Sequence, residues 1–187
     1  MHNVCATGAG IGVYGMMERN LVLIGFMGSG KTSIGVRLSY RLKLTVEDTD
    51  KLIERRENKK INDIFAQEGE ASFRRKETEL LRELSEKRQV LRIYSVGGGT
   101  PVEPKNRPLL KQLGTVIWLR VRPETVYERL KHDSTRPLLQ CEDPQSRIRE
   151  LMEARREAYE ACADIVVDVD DMDMEDILET ILANIDQ

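Results

Sequence analysis

The chain lacks most of the features that assign a protein to a class at sight. It has no excess of basic charge: 29 Lys and Arg stand against 32 Asp and Glu, a net charge of −3. A dedicated nucleic-acid binder is usually basic, so that class is disfavoured. No apolar run approaches the length needed to span a membrane. The three cysteines, Cys5, Cys141 and Cys162, are odd in number, widely spaced and in no metal-like pairing. They read as reduced thiols of a cytosolic protein, not as a disulfide framework or a zinc site. There is no internal repeat, no low-complexity tract and no linker-like stretch. A chain of 187 residues, 40% of them hydrophobic, is expected to bury one core as a single domain. A cytoplasmic protein without nucleic-acid or membrane partners is the expectation from these absences, and a monomer is expected.

One more absence is local. The third apolar run, "VLRIYSV", ends in three glycines and carries no carboxylate. In phosphate-binding α/β proteins such a strand often ends in an acid that helps hold a metal.

Residues 1–17 differ from the rest: they are glycine-rich and nearly uncharged, with no basic stretch before their apolar part, so they do not resemble a secretory signal. The spacing Gly10, Gly12, Gly15 matches G-x-G-x-x-G formally but follows no strand and opens no helix. A disordered N-terminal extension is expected, with 18–187 as the folded domain.

From Asn20 onward strand and helix patterns alternate, which predicts a parallel sheet covered by helices on both faces. Five short runs read as strands: "NLVLIG", "LTVED", "VLRIYSV", "TVIWLRV" and "DIVVDV". Helical periodicity is expected over 32–42, over 51–67 with a break near Asn58, and over 70–87, 123–131, 145–162 and 174–185. The stretch 133–144 is polar and irregular, long enough to serve as a lid. The acidic "DVDDMDMED" reads as a solvated turn and helix start.

The sharpest motif is "GFMGSGKT", Gly25 to Thr32. It satisfies G-x-x-x-x-G-K-[ST] between a strand and a helix, the context that motif requires. Its glycines let backbone N–H groups ring a phosphate chain, and the helix start adds its positive end. Lys31 is placed to reach the β- and γ-phosphates, and the Thr32 hydroxyl to ligate magnesium. The motif implies a nucleoside triphosphate, ATP or GTP.

The acceptor must be read from elsewhere. "EDTD" puts Glu47, Asp48 and Asp50 at the carboxyl end of the second strand, the ligand side of an open α/β sheet. Aspartate is equally a common helix cap. On the helix after Glu70, Phe73, Leu80, Leu81 and Leu84 form an apolar stripe with Glu77 inside it and Arg74 at its margin. The pair is spaced i, i+3 and is expected to interact. On the helix from Gln145, Arg155 lies within the apolar face made by Ile148, Leu151, Met152, Tyr159 and Cys162, whereas Arg149 and Arg156 point outward. Two inward-leaning arginines on different helices suit a grip on a carboxylate or phosphate. Arg136, in the irregular stretch, is placed to arrive with a closing lid.

Taken in order, "GFMGSGKTS", "DTD", "IFAQEGEASFRRKE", "GGG", "RPLL" and "EARREAY" make the chain from about Asn20 resemble the shikimate kinases. The resemblance implies a three-layer α/β/α domain with a five-stranded parallel sheet. It implies the P-loop, nucleoside-monophosphate-kinase-like fold with a mobile lid at about 133–144. It implies transfer of the γ-phosphoryl of ATP, with Mg²⁺, to the 3-hydroxyl of shikimate. By position, Gly28, Ser29, Gly30, Lys31, Thr32 and Ser33 would cradle the phosphates, and Thr32 and Asp48 would serve the metal. Asp50 would hold substrate hydroxyls and accept the proton. Arg74, Arg155 and the loop Gly97, Gly98 and Gly99 would bind shikimate. Arg129 would lie against adenine, and Lys31 and Arg136 would act on the phosphates. After the last strand the acids Asp170, Asp171 and Asp173 stand where some members carry a basic residue. Rival readings are a gluconate or nucleoside-monophosphate kinase of the same fold, or a regulatory nucleotide binder without turnover.

Overall fold

The structure, a computed structural model, describes residues 18–87, 90–133 and 141–185. The five apolar runs form the strands β1 (Asn20–Ile24), β2 (Thr45–Asp48), β3 (Arg92–Ser95), β4 (Gly114–Arg120) and β5 (Ile165–Asp168). All neighbours pair in parallel, in the order β2-β3-β1-β4-β5. Among the described residues seven helices connect and flank them: α1 (Lys31–Leu42), α2 (Thr49–Glu57), α3 (Ile61–Glu86), α4 (Asn106–Leu113), α5 (Pro123–Leu130), α6 (Pro144–Cys162) and α7 (Met174–Ile185).

The alternation of side chains along β1 explains the layering. Leu21 and Leu23 bury into one core with Ile34 and Leu38 of α1, Val126 of α5 and Ile181 of α7. Val22 and Ile24 point the other way, into a core with Leu81 of α3, Leu110 of α4 and Tyr159 of α6. A strand covered on both faces must be apolar along its covered length, and β1 is from Leu21 to Ile24, all four fully buried. A third, smaller cluster of Ile53, Ile64, Phe73 and Leu80 ties α2 to α3.

The expected elements are observed nearly as drawn. The break near Asn58 is a helix stop, with Asn58 in the left-handed region at φ 49°. The start expected near Glu70 corresponds to a kink: the helical run from Ile61 is continuous except at Gly69, at φ 78° and ψ 167°. Such dihedrals are nearly exclusive to glycine. Helix α6 starts at Pro144, capped by Asp143, whose side chain accepts from Ser146 N–H. Helix α4 and a 3₁₀ turn at Thr100–Val102 were not anticipated. The extension 1–17 and residues 134–140 of the expected lid, with Arg136, lie outside the described residues. Among the described residues no helix is long and apolar enough to cross a membrane.

This topology gathers three strand ends on one edge. The loop after β1, the acids after β2 and the glycines after β3 come from neighbours in the order β2-β3-β1. Because β1 has β3 on one side and β4 on the other, its end is where connections diverge, the place where open α/β sheets bind ligands.

Candidate active site

The phosphate loop runs from Gly25 to Gly30, with Gly25, Gly28 and Gly30 at φ 147°, 77° and 95°. Those angles are open to glycine and turn successive N–H groups inward. Helix α1 then begins at Lys31. Lys31 Nζ donates to the carbonyls of Gly25 at 2.8 Å and Phe26 at 3.0 Å, which keeps the ammonium over its own loop. Arg129 of α5 donates to the Gly28 carbonyl at 2.8 Å. A cleft of about 650 Å³ is lined by Gly28, Ser29, Gly30, Lys31, Thr32 and Ser33, by Asp48 and Asp50, by Gly97 and Gly98, and by Arg129. Most of the residues expected to serve donor and acceptor thus share one space.

The three acids of "EDTD" separate cleanly. Glu47 pairs with Arg55 and Arg92 and is structural. Asp48 caps α2, its Oδ1 accepting from the N–H groups of Asp50 and Lys51 at 3.0 and 3.2 Å. Asp50, in the first turn of α2, is different. Its Oδ1 is buried without a hydrogen-bond partner among the described residues. Burial, then Asp48 and then Glu77, push its carboxyl up to about 6 against the opposing pull of Lys31 and Arg74. A carboxylate in that condition is ready to take a proton near neutral pH.

The glycine loop has a steric reason for its composition: a Cβ on any of the three would crowd a protein group. A Cβ on Gly97 would lie 2.9 Å from Asp50 Oδ1, and one on Gly99 would lie 2.7 Å from both terminal nitrogens of Arg74. The loop is held from behind: Val96 N–H bonds Leu23 O at 3.1 Å, Gly97 N–H bonds Thr49 Oγ1 at 3.3 Å, and Tyr159 OH donates to Gly98 O at 2.6 Å. Burial pushes the Tyr159 hydroxyl's pKa up, so it stays protonated and donating. Thr49 and Tyr159 were missed as site-builders. Tyr159 counted as one more residue of an apolar face, and only its hydroxyl hinted otherwise.

Arg74 and Arg155 share a second space. With Gly99, Glu70, Val102, Glu103 and Pro104 they line a recess of about 280 Å³ beside the main cleft. Arg74 donates to the buried Glu77 at 2.6 Å and to the exposed Glu70 at 3.0 Å. Arg155 lies over the Phe26 ring, 5.4 Å from its centroid. A guanidinium so placed packs one face on carbon and keeps its edge for an anion. Arg149 and Arg156 pair with the surface acids Glu124 and Glu153, as expected of solvated positions. Behind Tyr159 stands Trp118, ring centroids 5.6 Å apart. The acids after β5 are structural: Asp170 and Asp171 engage Arg122, and Asp173 caps α7.

A phosphate loop, an elevated carboxyl and a two-arginine recess around one cleft define a P-loop kinase acting on a small molecule. The comparisons sharpen that class. The family model for shikimate kinase matches residues 27–186. A shikimate kinase of Microcystis aeruginosa is 46% identical over 167 residues, covering 89% of this chain and 86% of its own. One of Burkholderia lata is 40% identical over 149 residues, 80% of each chain. The solved shikimate kinase of Acinetobacter baumannii in complex with shikimate superposes with a TM-score of 0.82 at 35% identity, over 89% of this chain and 92% of that one. The chain belongs to the shikimate kinase family and is an ATP-dependent kinase.

Proposed function

We propose that the chain transfers the γ-phosphoryl group of ATP to the 3-hydroxyl of shikimate, giving shikimate 3-phosphate and ADP, as a cytoplasmic monomer. The observation that carries the residue-level reading is Asp50: a buried carboxylate oxygen without a partner, beside the phosphate loop and the arginine recess. The substrate carboxylate sits between Arg74 and Arg155, where two guanidinium groups offer fork-like donors. Its ring lies along Gly97, Gly98 and Gly99. That pose aims a hydroxyl at Asp50 on one side and at the phosphate loop on the other.

In the reaction the hydroxyl oxygen bonds to the γ-phosphorus as the bond to the β–γ bridging oxygen breaks. The hydroxyl proton passes to Asp50 Oδ1. Because the transition state is loose, positioning and positive charge do most of the work. Lys31, the N–H groups of residues 28–33 and the start of α1 supply that charge from this chain. Arg129 stands at the nucleotide end of the cleft, and Arg136 is assigned to the moving phosphates from the lid.

Thr32 and Asp48 line the same cleft. No group of three or more His, Cys, Asp or Glu able to hold a metal exists among the described residues. So sparse a donor set fits Mg²⁺, which keeps several waters and takes phosphate oxygens as ligands. Thr32 would ligate it directly and Asp48 through water. When bound, the ion neutralises charge on the β- and γ-phosphates. The missing carboxylate after β3 is thus supplied by the neighbouring strand end.

The test is a coupled ADP-release assay run across shikimate, gluconate, quinate and nucleoside monophosphates. ADP release should depend on shikimate and be far slower with the others. Equal release without an acceptor, or preference for another one, overturns the assignment.

A further inference from the structure

Four polar side chains lie buried behind the arginine recess, and none of them lines the main cleft. Thr100, Glu77, Thr78 and Asn106 are 2%, 3%, 4% and 0% exposed. They come from three places in the fold: the residue after the glycine loop, the middle of α3 and the first residue of α4. Buried polar groups are costly unless every partner is present, and here they close on one another. Thr100 Oγ1 donates to Glu77 Oε1 in a short hydrogen bond. Glu77 Oε2 accepts from Arg74 at 2.6 Å. One turn along α3, the Thr78 hydroxyl donates to Asn106 Oδ1 at 2.7 Å, with the Arg74 carbonyl 3.0 Å away. Asn106 Nδ2 returns to the Thr100 carbonyl at 3.0 Å. The circuit begins and ends on Thr100.

We propose that Thr100, with Asn106 and Thr78 behind it, is a positioning residue for the acceptor's anionic group, setting the plane of Arg74 through Glu77. The inference rests on the acceptor reading given above. Glu77 has two oxygens and two partners. With Oε1 held by Thr100, Oε2 has one orientation left in which to meet Arg74. Without the hydroxyl the carboxylate can rotate, and Arg74 still has the exposed Glu70 as a competing partner. The guanidinium then swings toward solvent and away from Gly99, against which its two terminal nitrogens now lie. A fully satisfied polar circuit holds one geometry where a partly satisfied one holds several.

The experiment uses the full chain. Thr100→Val keeps the shape and removes the hydroxyl. Thr100→Ser keeps the hydroxyl and removes a methyl group. Thr78→Val opens the circuit from the far side. KM for shikimate, KM for ATP, kcat and the melting temperature are measured for each. The loss of one hydrogen bond to a buried charge predicts a roughly tenfold rise in KM for shikimate in Thr100→Val. KM for ATP should stay within about twofold. Thr100→Ser should restore shikimate KM to near the wild-type value, and Thr78→Val should raise it by a smaller factor. A merely structural role would instead lower the melting temperature, leave shikimate KM unchanged in the folded fraction and gain nothing specific from serine. Should Thr100→Val fail to fold, unchanged shikimate KM in Thr78→Val overturns the inference by itself. Wild-type protein that releases no ADP with shikimate overturns the acceptor reading and this inference together. Wild-type turnover with an unaltered Thr100→Val overturns this inference alone.

Discussion

Asp50 is the residue whose two tasks conflict. Its carboxyl titrates near 6 where an ordinary one is near 3.8, because burial, Asp48 and Glu77 oppose the charge more than Lys31 and Arg74 support it. The folded state therefore binds this proton more tightly than the unfolded chain does. Its stabilising contribution is complete below about pH 4 and is lost as pH rises through 6, amounting at pH 7 to a deficit on the order of 3 kcal/mol. Asp50→Asn should raise the melting temperature at pH 7, with the gain shrinking toward pH 4, while turnover falls by orders of magnitude. A variant that loses turnover and also melts lower would show that the carboxylate is held by contacts rather than strained by them. In wild-type protein kcat/KM should fall as pH drops below about 6, where Asp50 can no longer accept a proton. Arg155→Lys tests the other side of the acceptor. Lysine keeps the charge but loses the planar fork and the stacking on Phe26, so KM for shikimate should rise at least tenfold with KM for ATP nearly unchanged. At this scale the sequence was informative because both arginines broke an apolar period. Thr100 broke none, since a threonine after three glycines looks like any turn residue.

At the scale of elements, α3 is the most revealing. It carries Arg74, Glu77 and Thr78 past a kink at Gly69, where a Cβ would meet nothing within 4 Å. The demand for glycine there comes only from the backbone, at φ 78° and ψ 167°. Gly69→Ala should destabilise the protein by about 1–3 kcal/mol in chemical unfolding. It should also raise KM for shikimate, because the Arg74 turn begins five residues later. A variant with unchanged stability would mean that the kink relaxes without cost. Periodicity located the start at Glu70 because Glu68 and Gly69 separate two helical patterns. It could not show that the axis bends there instead of stopping. Helix α4 escaped for a related reason. Pro101, Pro104 and Pro108 punctuate that stretch like a loop, yet Pro108 falls in the first turn, where its missing N–H costs no intrahelical bond. The helix is then held by Leu110 and Leu113, both buried against β1 and β4 neighbours.

For the whole molecule, the parallel α/β plan was legible because each strand is a short apolar run and each helix an amphipathic one. The strand order was not. No local pattern says that β3 inserts between β2 and β1, and that insertion brings the glycines to Asp50. The space shared by Arg74 and Arg155, 81 positions apart in the chain, follows from packing α3 and α6 on the same face of the sheet. The same arrangement has a practical consequence. The chain has one tryptophan, and Trp118 is 6% exposed. It touches the Tyr159 ring, and the Tyr159 hydroxyl holds Gly98. On the proposed acceptor pose, Trp118 would serve as an optical gauge of acceptor occupancy. Titrating shikimate into nucleotide-free protein should change the intrinsic tryptophan emission, and Tyr159→Phe should blunt that change without abolishing binding.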